Sequence, residues 1–461
     1  MSLIFAKSKI RTEIREYLRL AIPLAIAQVS QSATGFADSI MMGRLGQETL
    51  AAGGLAALTF TAVLVAASGF VMGVSPLVAE AYGANRHTRI EDVARQGLWL
   101  SLGVSIPMML LIGHMDNIMS QFGQAATTVT LANTYLDIML WGFFPSLGFF
   151  MLRGVVAALQ EARFVMAIVI AGTLFNIAGN YVLGYGKWGF PQMGIAGLAI
   201  ASVISLWGIF LAIVVYIFRH KQLKKYRFFE KLHQIKPRII WELVRIGLPI
   251  GVSSALEVGL FTVVTYLMGI LGTDVLAAHQ IVFQTIAVIF MVPLGMSFAT
   301  TARVGQWFGQ QNLEAAKRAA YVSMFVGVVF MTIMTIALLM FPHGVIGLYL
   351  DIRKPENGNV VEQALPMLTV AAIAQILDSL QKTTQGALYG LQDTRIPMLL
   401  SLSTFWGVGL TSGYLLGFHL GLGGTGLWMG QSIGVAIAAI VFVWRFRKLL
   451  VNLSKFSGRL S

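Results

Sequence analysis

The sequence predicts an all-α membrane protein with twelve transmembrane helices, arranged as two parallel six-helix bundles related by pseudo-two-fold symmetry. Three observations support this fold class. The 461 residues are 56% hydrophobic and only 11% charged, a composition typical of polytopic membrane proteins and not of soluble proteins of this size. Twelve apolar segments are each long enough to cross a ~30 Å hydrocarbon layer as a helix. The first half of the chain is repeated in the second, as in many transporters.

The repeat is read by sliding the sequence by 226 residues, which places Pro23 on Pro249 without a gap. Under this shift four glycines coincide, namely Gly43 with Gly269, Gly46 with Gly272, Gly69 with Gly295 and Gly83 with Gly309. Gly83 and Gly309 are expected to end the second span of each half in the left-handed conformation. Further along, a shift of 232 places Gly154 on Gly386.

The twelve apolar segments fall into two sets of six. In order they cover approximately 20–42, 50–80, 97–113, 127–151, 164–185, 195–218, 243–268, 277–305, 318–341, 363–390, 396–418 and 426–444. Six is an even number, so both halves enter the membrane from the same side and are parallel repeats. We therefore expect an N-terminal lobe at 1–218, a basic linker at 219–240 and a C-terminal lobe at 241–461.

The net charge of +13 indicates orientation rather than nucleic-acid binding. With alternating spans, the basic clusters all lie on one side of the membrane. They comprise the N-terminus, 86–95, 219–238, 317–318 and 445–455. The positive-inside rule then places both termini in the cytoplasm of a multi-pass plasma-membrane protein.

Three acidic residues lie inside apolar spans and are the strongest candidates for chemistry. They are Asp38 in span one, Glu257 in span seven and Asp378 in span ten. An ionisable group at membrane depth is costly and is a functional candidate by default. The alternative for Glu257 is a protonated helix–helix contact. For Asp378 it is a helical ion pair with Lys382, four residues on.

Five polar residues extend this set. Asn176 and Asn180 share one face of span five, where they either bridge helices or offer oxygen ligands to a cation. Ser202 in span six adds a hydroxyl group. His279 in span eight is read as a packing residue or a titrating group, with Gln284 as its partner or as part of a cavity wall.

Several function classes are excluded or disfavoured by the residues. The chain has no cysteine, so disulfides and thiol chemistry are absent. It has no Walker A loop and no residue set that suits a metal enzyme. We therefore predict a protein that is not an enzyme and uses no cofactor, and that takes any energy for transport from an ion gradient.

Taken together, the segments resemble the multidrug and toxic compound extrusion (MATE) family. The resemblance rests on Ile22-Pro23-Leu24, on 35–43 (GFADSIMMG), on 276–280 (LAAHQ) and on Gly386-x-Leu388-x-Gly390. Glu257 with Asp378 is similar to the NorM-type branch. Some members of that branch carry a tyrosine where this chain has Ala374.

The resemblance implies a monomeric bacterial inner-membrane antiporter that exports amphipathic, often cationic, drugs by alternating access. It implies Na+ or H+ as the coupling ion, with both left open. The residues it places in ion coupling, each a ligand if the ion is Na+, are Asp38, Asn176, Asn180, Glu257 and Asp378. The alternative is a flippase for lipids or lipid-linked oligosaccharides with a related architecture, which would be expected to carry more cavity cations for phosphate.

Overall fold

The computed structural model describes residues 2–116, 119 and 126–457, and these form helices joined by short turns. The α-helices in chain order are α1 Ser2–Leu45, α2 Gln47–Met72, α3 Val74–Gly83, α4 His87–Ile112, α5 Ala126–Met139, α6 Phe143–Ala158, α7 Ala162–Gly179, α8 Gly194–Arg219, α9 Lys221–Lys224, α10 Pro237–Leu271, α11 Thr273–Gly309, α12 Leu313–Met340, α13 Pro342–Ile346, α14 Gly358–Gly390, α15 Arg395–Ser401, α16 Thr411–Tyr414 and α17 Gly423–Ser457. π-Helical segments cover Asn180–Gly184, Leu402–Leu410 and Leu415–His419, and 3₁₀ turns cover Leu140–Gly142 and Pro355–Asn357. No strand occurs between these described elements.

The helices are those of a membrane protein. Within the described chain, eleven helical segments are long and apolar enough to cross a membrane. The first expected span, 20–42, lies within α1, which runs on from it toward the N-terminus as one helix of 44 residues. The predicted all-α, twelve-span fold is confirmed.

The chain divides into two compact units. Ile26–Gly251 form one unit, here called the N-lobe, and Met1–Ala25 with Val252–Ser461 form the other, here called the C-lobe. Helices α1 and α10 therefore each contribute residues to both lobes. The three-part division predicted at 218 and 241 stays a prediction.

Glycine contacts explain why α10 begins in the N-lobe and α1 in the C-lobe. In the N-lobe, a Cβ added to Gly69 would overlap the backbone of Gly251 in α10. In the C-lobe, a Cβ added to Gly295 would overlap the backbone of Ala25 in α1. Gly69 and Gly295 are repeat partners, and so are Ala25 and Gly251, so the same close helix contact is made once in each lobe. Small residues at such crossings let helix backbones approach closely.

The segment after α8 packs against α4 in the N-lobe. The Trp99 indole N–H donates to the Leu232 carbonyl at 2.6 Å, and the Gln96 amide donates to the Gln234 carbonyl at 2.8 Å. Lys236 Nζ lies 2.6 Å from Asp92 Oδ2. The basic segment is thus bound to the N-lobe by polar contacts as well as by its connection to α8.

In the C-lobe, α14 is the central helix and packs against α11, α12 and α17. An apolar core that includes Val282, Met367 and Leu427 surrounds its first half. A second core that includes Ala316, Leu388 and Phe446 surrounds its other end. Between these cores α14 buries Gln375, Asp378, Ser379, Gln381 and Lys382. The candidate Asp378 therefore lies on the central helix of this lobe.

The turns that follow the repeated helices correct one expectation. Gly83 and Gly309 lie inside helices, and the left-handed residues are Asn85, with φ of 55°, and Gln311, with φ of 56°. Each stands two residues after the expected glycine. Asparagine tolerates this conformation better than most residues, and Gln311 shows that the chain keeps the turn even with a less favourable side chain.

Candidate functional site: two buried polar clusters

The N-lobe brings together Asp38, Asn176, Asn180 and Ser202, here called the N-lobe cluster. Asn180 Nδ2 donates to Asp38 Oδ1 at 2.5 Å and lies 3.1 Å from Asn176 Oδ1. Asn176 Nδ2 donates to Ser202 Oγ at 3.0 Å. The structure joins these four candidate side chains in one chain of hydrogen bonds.

Local helix geometry positions the N-lobe cluster. Asp38 lies on α1, Asn176 lies in the last turn of α7, and Ser202 lies on α8. Asn180 begins a π-helical segment that follows α7 directly. π-Helical turns are rare and occur frequently at functional sites. Here the segment holds Asn180 fully buried between Asp38 and Asn176.

The N-lobe cluster offers oxygen atoms to a small cation or a proton. Asn180 Oδ1 is buried and has no hydrogen-bond partner within the described part of the chain. A buried polar atom without a partner calls for an explanation, such as a bound ion or water. Asp38 supplies the one carboxylate of the cluster and takes part in no ion pair of the described residues. Hard cations prefer such oxygen ligands.

The C-lobe brings together Glu257 on α10 with Asp378 and Lys382 on α14, here called the C-lobe cluster. Lys382 Nζ lies 2.5 Å from Glu257 Oε2, with side-chain exposures of 7% and 16%. Lys382 Nζ also lies 5.4 Å from the centre of the Phe290 ring. Gln375 Nε2 approaches Asp378 Oδ2 at 3.5 Å.

This geometry bears on the alternative role of Asp378, a helical ion pair with Lys382. The ion pair within the described residues joins Lys382 to Glu257 instead, so Lys382 reaches across from α14 to α10. The sequence indicated Lys382 only as a partner within its own helix. The internal repeat could have identified Lys382 as a site residue. It aligns Glu257, Asp378 and Lys382 with the neutral residues Gln31, Ser146 and Phe150, so this charged set occurs only in the second half of the chain.

Of the two roles left open for Gln284, partner of His279 or part of a cavity wall, the structure gives the histidine a different partner. His279 is fully buried, and its Nε2 lies 2.9 Å from the Thr265 hydroxyl. Its ring is 5.6 Å from the Trp428 ring, centre to centre. Gln284 is exposed. The structure therefore separates the two residues and gives His279 the surroundings of a packing residue.

A buried cation of the N-lobe was not singled out as a site residue by the sequence. Arg153 on α6 donates to Gln28 Oε1 at 2.5 Å, and its guanidinium lies 5.0 Å from the centre of the Phe150 ring. Neither residue belongs to the N-lobe cluster. Across the described residues, no group of three or more His, Cys, Asp or Glu side chains is placed to hold a metal ion.

A family model described as MatE matches residues 23–182 and 249–415. The chain belongs to the MatE family. The two matched ranges begin at Pro23 and Pro249, which the sequence repeat superimposes. The family expected from the sequence is thereby confirmed.

Relatives match over nearly the whole chain. A protein from Synechocystis sp. named "Probable multidrug resistance protein NorM" is 53% identical over 442 residues, which cover 96% of each chain. A protein of the same name from Synechococcus sp. is 51% identical over 443 residues, again 96% of each. The likeness to the NorM-type branch is confirmed by these matches.

Solved structures match the fold. A structure described as the outward-facing conformation of a multidrug resistance MATE family transporter has a TM-score of 0.86 at 22% identity, covering 96% of this chain and 97% of the other. A MOP superfamily transporter from Pyrococcus furiosus has the same TM-score, identity and coverage, and its description says that a reversed polarity of its binding pocket suggests a different function. At these identities the two matches show the fold of this chain and not its activity.

Proposed function

We propose that this chain is a multidrug efflux antiporter that exports amphipathic organic cations in exchange for Na+ or H+. The observation that carries the proposal is a pair of acidic clusters, with Asp378 buried and Asp38 and Glu257 half-buried, in a membrane protein of the MatE family. Ionisable groups at membrane depth mark ion or substrate pathways by default. The names of the Synechocystis and Synechococcus proteins support drug export as the outcome.

Coupling follows from ion binding that differs between two conformations. An ion that binds a buried carboxylate more tightly in one arrangement of the lobes shifts the equilibrium toward it. We assign this role to Asp38, Glu257 and Asp378. Asn176, Asn180 and Ser202 complete the surroundings of Asp38. A cationic drug is attracted to the same carboxylates, because Coulomb attraction is strong at low dielectric.

The membrane location, the orientation and the partners of the protein are part of the same proposal. The positive charges on alternate loops support an orientation with both termini in the cytoplasm of a bacterial inner membrane. We expect a monomer in the lipid bilayer, with small drugs and a coupling cation as partners and with neither nucleic acid nor a resident cofactor.

Ethidium efflux from cells tests the proposal. The chain should be expressed in a bacterium that lacks its own ethidium pumps, and export should be followed by fluorescence. We expect efflux to stop when ionophores collapse the sodium and proton gradients together. Efflux that continues unchanged after this treatment would contradict an ion-coupled mechanism.

A lipid flippase of related architecture is the second candidate. Such a protein needs cations that bind phosphate. Four basic side chains of the described residues are buried, and each contacts a polar or acidic side chain, which favours the drug exporter. The pairs are Arg95 with Asp92, Arg153 with Gln28, Arg303 with Glu13 and Lys382 with Glu257. Movement of a fluorescent phospholipid in proteoliposomes, together with no ethidium transport, would support the flippase instead.

A further inference from the structure

The C-lobe cluster contains its own cation. We propose that Lys382 is a tethered cation that occupies Glu257 and excludes Na+ from the C-lobe. The N-lobe cluster is then the place where a metal cation binds. This inference rests on the proposed function, because it assigns the ion sites of that transporter.

The first argument is the position of the ammonium group. Lys382 Nζ is at hydrogen-bonding distance from Glu257 Oε2, and 93% of the lysine side chain is shielded. The face of Phe290 lies 5.4 Å away and adds a cation–π attraction. The amine thus stands where a cation ligated by Glu257 would stand.

The second argument is the position of the other carboxylate. Asp378 is one turn from Lys382 on α14 and is 9% exposed. A Na+ bound to Glu257 would lie next to the ammonium group, and a Na+ bound to Asp378 would lie one helical turn from the residue that carries it. Repulsion between unit charges at about 4 Å in a protein interior lowers affinity by roughly a hundred-fold or more. The ammonium group therefore disfavours Na+ at this pair of carboxylates.

The third argument is the contrast with the N-lobe cluster. Asp38 has an amide hydrogen bond in place of a basic partner, and Asn180 Oδ1 remains available as a ligand. No ion pair of the described chain includes Asp38. A Na+ in the N-lobe cluster would meet a carboxylate and amide oxygens without a competing ammonium group.

Binding of radioactive Na+ to the purified full-length protein in detergent tests the proposal without requiring transport. Asp38→Asn removes the N-lobe carboxylate and should leave no measurable Na+ binding. Adding Lys382→Met to Asp38→Asn should create a site with at least ten-fold higher Na+ affinity. Adding Asp378→Asn as a third change should weaken that new site.

Lys236→Met is the matched control. Lys236 pairs with Asp92 on a surface where 41% of the lysine side chain is exposed, so its loss should not create a Na+ site. Lys382→Met leaves Glu257 unpaired, and the resulting protein could fail to fold. In that case Lys382→Met with Glu257→Gln removes the ion pair as a unit, and in the Asp38→Asn background the gain in Na+ affinity is still expected.

Two results would overturn the proposal. One is that the Asp38→Asn protein, with Lys382 intact, still binds Na+ and loses this binding when Asp378→Asn is added. The other is a folded Asp38→Asn/Lys382→Met protein, or its Glu257→Gln derivative, that binds no more Na+ than Asp38→Asn. Efflux that ignores every gradient would refute the antiport function alone and leave these binding results in place.

Discussion

The two lobes are built from repeated helices but bury different charges. In the N-lobe cluster, one acid is surrounded by amides and a hydroxyl group. In the C-lobe cluster, Glu257 pairs with Lys382, and a second acid, Asp378, lies one helical turn from that lysine. The acidic and basic residues of each cluster have no charged counterpart in the other half. The repeat aligns Asp38 with Val264, Asn176 with Val408, Asn180 with Ser412, Gln31 with Glu257, Ser146 with Asp378 and Phe150 with Lys382.

This difference teaches that the repeat preserves the scaffold and not the chemistry. Close helix contacts recur at Gly69 and Gly295, and left-handed turn residues recur at Gln160, with φ of 70°, and Gln392, with φ of 61°. The charged sets instead occur once each. Under the proposed function, two different clusters on one repeated frame allow one lobe to bind an ion while the other remains neutralised internally.

The largest effect is expected where the N-lobe loses its carboxylate. Asp38→Asn should reduce ethidium efflux to below about a tenth of the wild-type rate, because the amide binds neither a proton nor Na+ as a charged ligand. Membrane expression should be nearly unchanged. Ser39→Ala on the next, exposed position is the control. An Asp38→Asn protein that keeps more than half of the activity would remove the N-lobe from the mechanism.

The next largest effect is expected when Glu257 of the C-lobe cluster is replaced. Glu257→Gln should abolish coupled export and also destabilise the protein by about 3–5 kcal/mol, because it leaves a buried ammonium group without its partner. Thermal unfolding in detergent measures this cost. Glu257→Gln with Lys382→Met should recover most of the stability but not the export. Wild-type export by the Glu257→Gln protein would make Glu257 a packing residue.

A smaller effect is expected at Asn180. Asn180→Ala removes the amide that binds Asp38 and should slow efflux several-fold at saturating ethidium. Ser412→Ala, its counterpart under the 232-residue shift, removes a hydroxyl that donates to the Val408 carbonyl and should have little effect. Equal losses in both variants would indicate a general packing defect.

The smallest effect is expected at His279. His279→Gln keeps a polar contact with Thr265 within reach and should cost about 1 kcal/mol of stability. Efflux should remain within two-fold of wild type at each pH at which the wild type is active. A much larger loss, with thermal stability retained, would place His279 in the transport path.

The sequence predicted most of the fold because helix length, apolar composition and the internal repeat are local or periodic signals. It also identified Asp38, Asn176, Asn180 and Ser202 as candidates, since polar residues are conspicuous in apolar spans. It placed the left-handed turn residues two positions too early, because glycine is only one of the residues that accept that conformation. The turn after α3 ends on Asn85, and the turn after α11 ends on Gln311.

The partners of charged side chains were harder to predict. A spacing of four residues on one helix favoured Asp378 as the partner of Lys382, but the long lysine side chain reaches a different helix. Contacts between helices depend on rotation and crossing, which a periodic pattern does not specify. For the same reason Thr265 was not recognised as the partner of His279, although it lies only 14 residues away in the chain.

Ethidium transport in proteoliposomes with a single imposed gradient tests the central claim most directly. Wild-type protein should move ethidium against its own gradient only when a sodium or a proton gradient of the right direction is imposed. Asp38→Asn protein should move none under the same conditions. Equal ethidium transport with and without the gradients, or equal transport by the wild-type and Asp38→Asn proteins, would contradict the account.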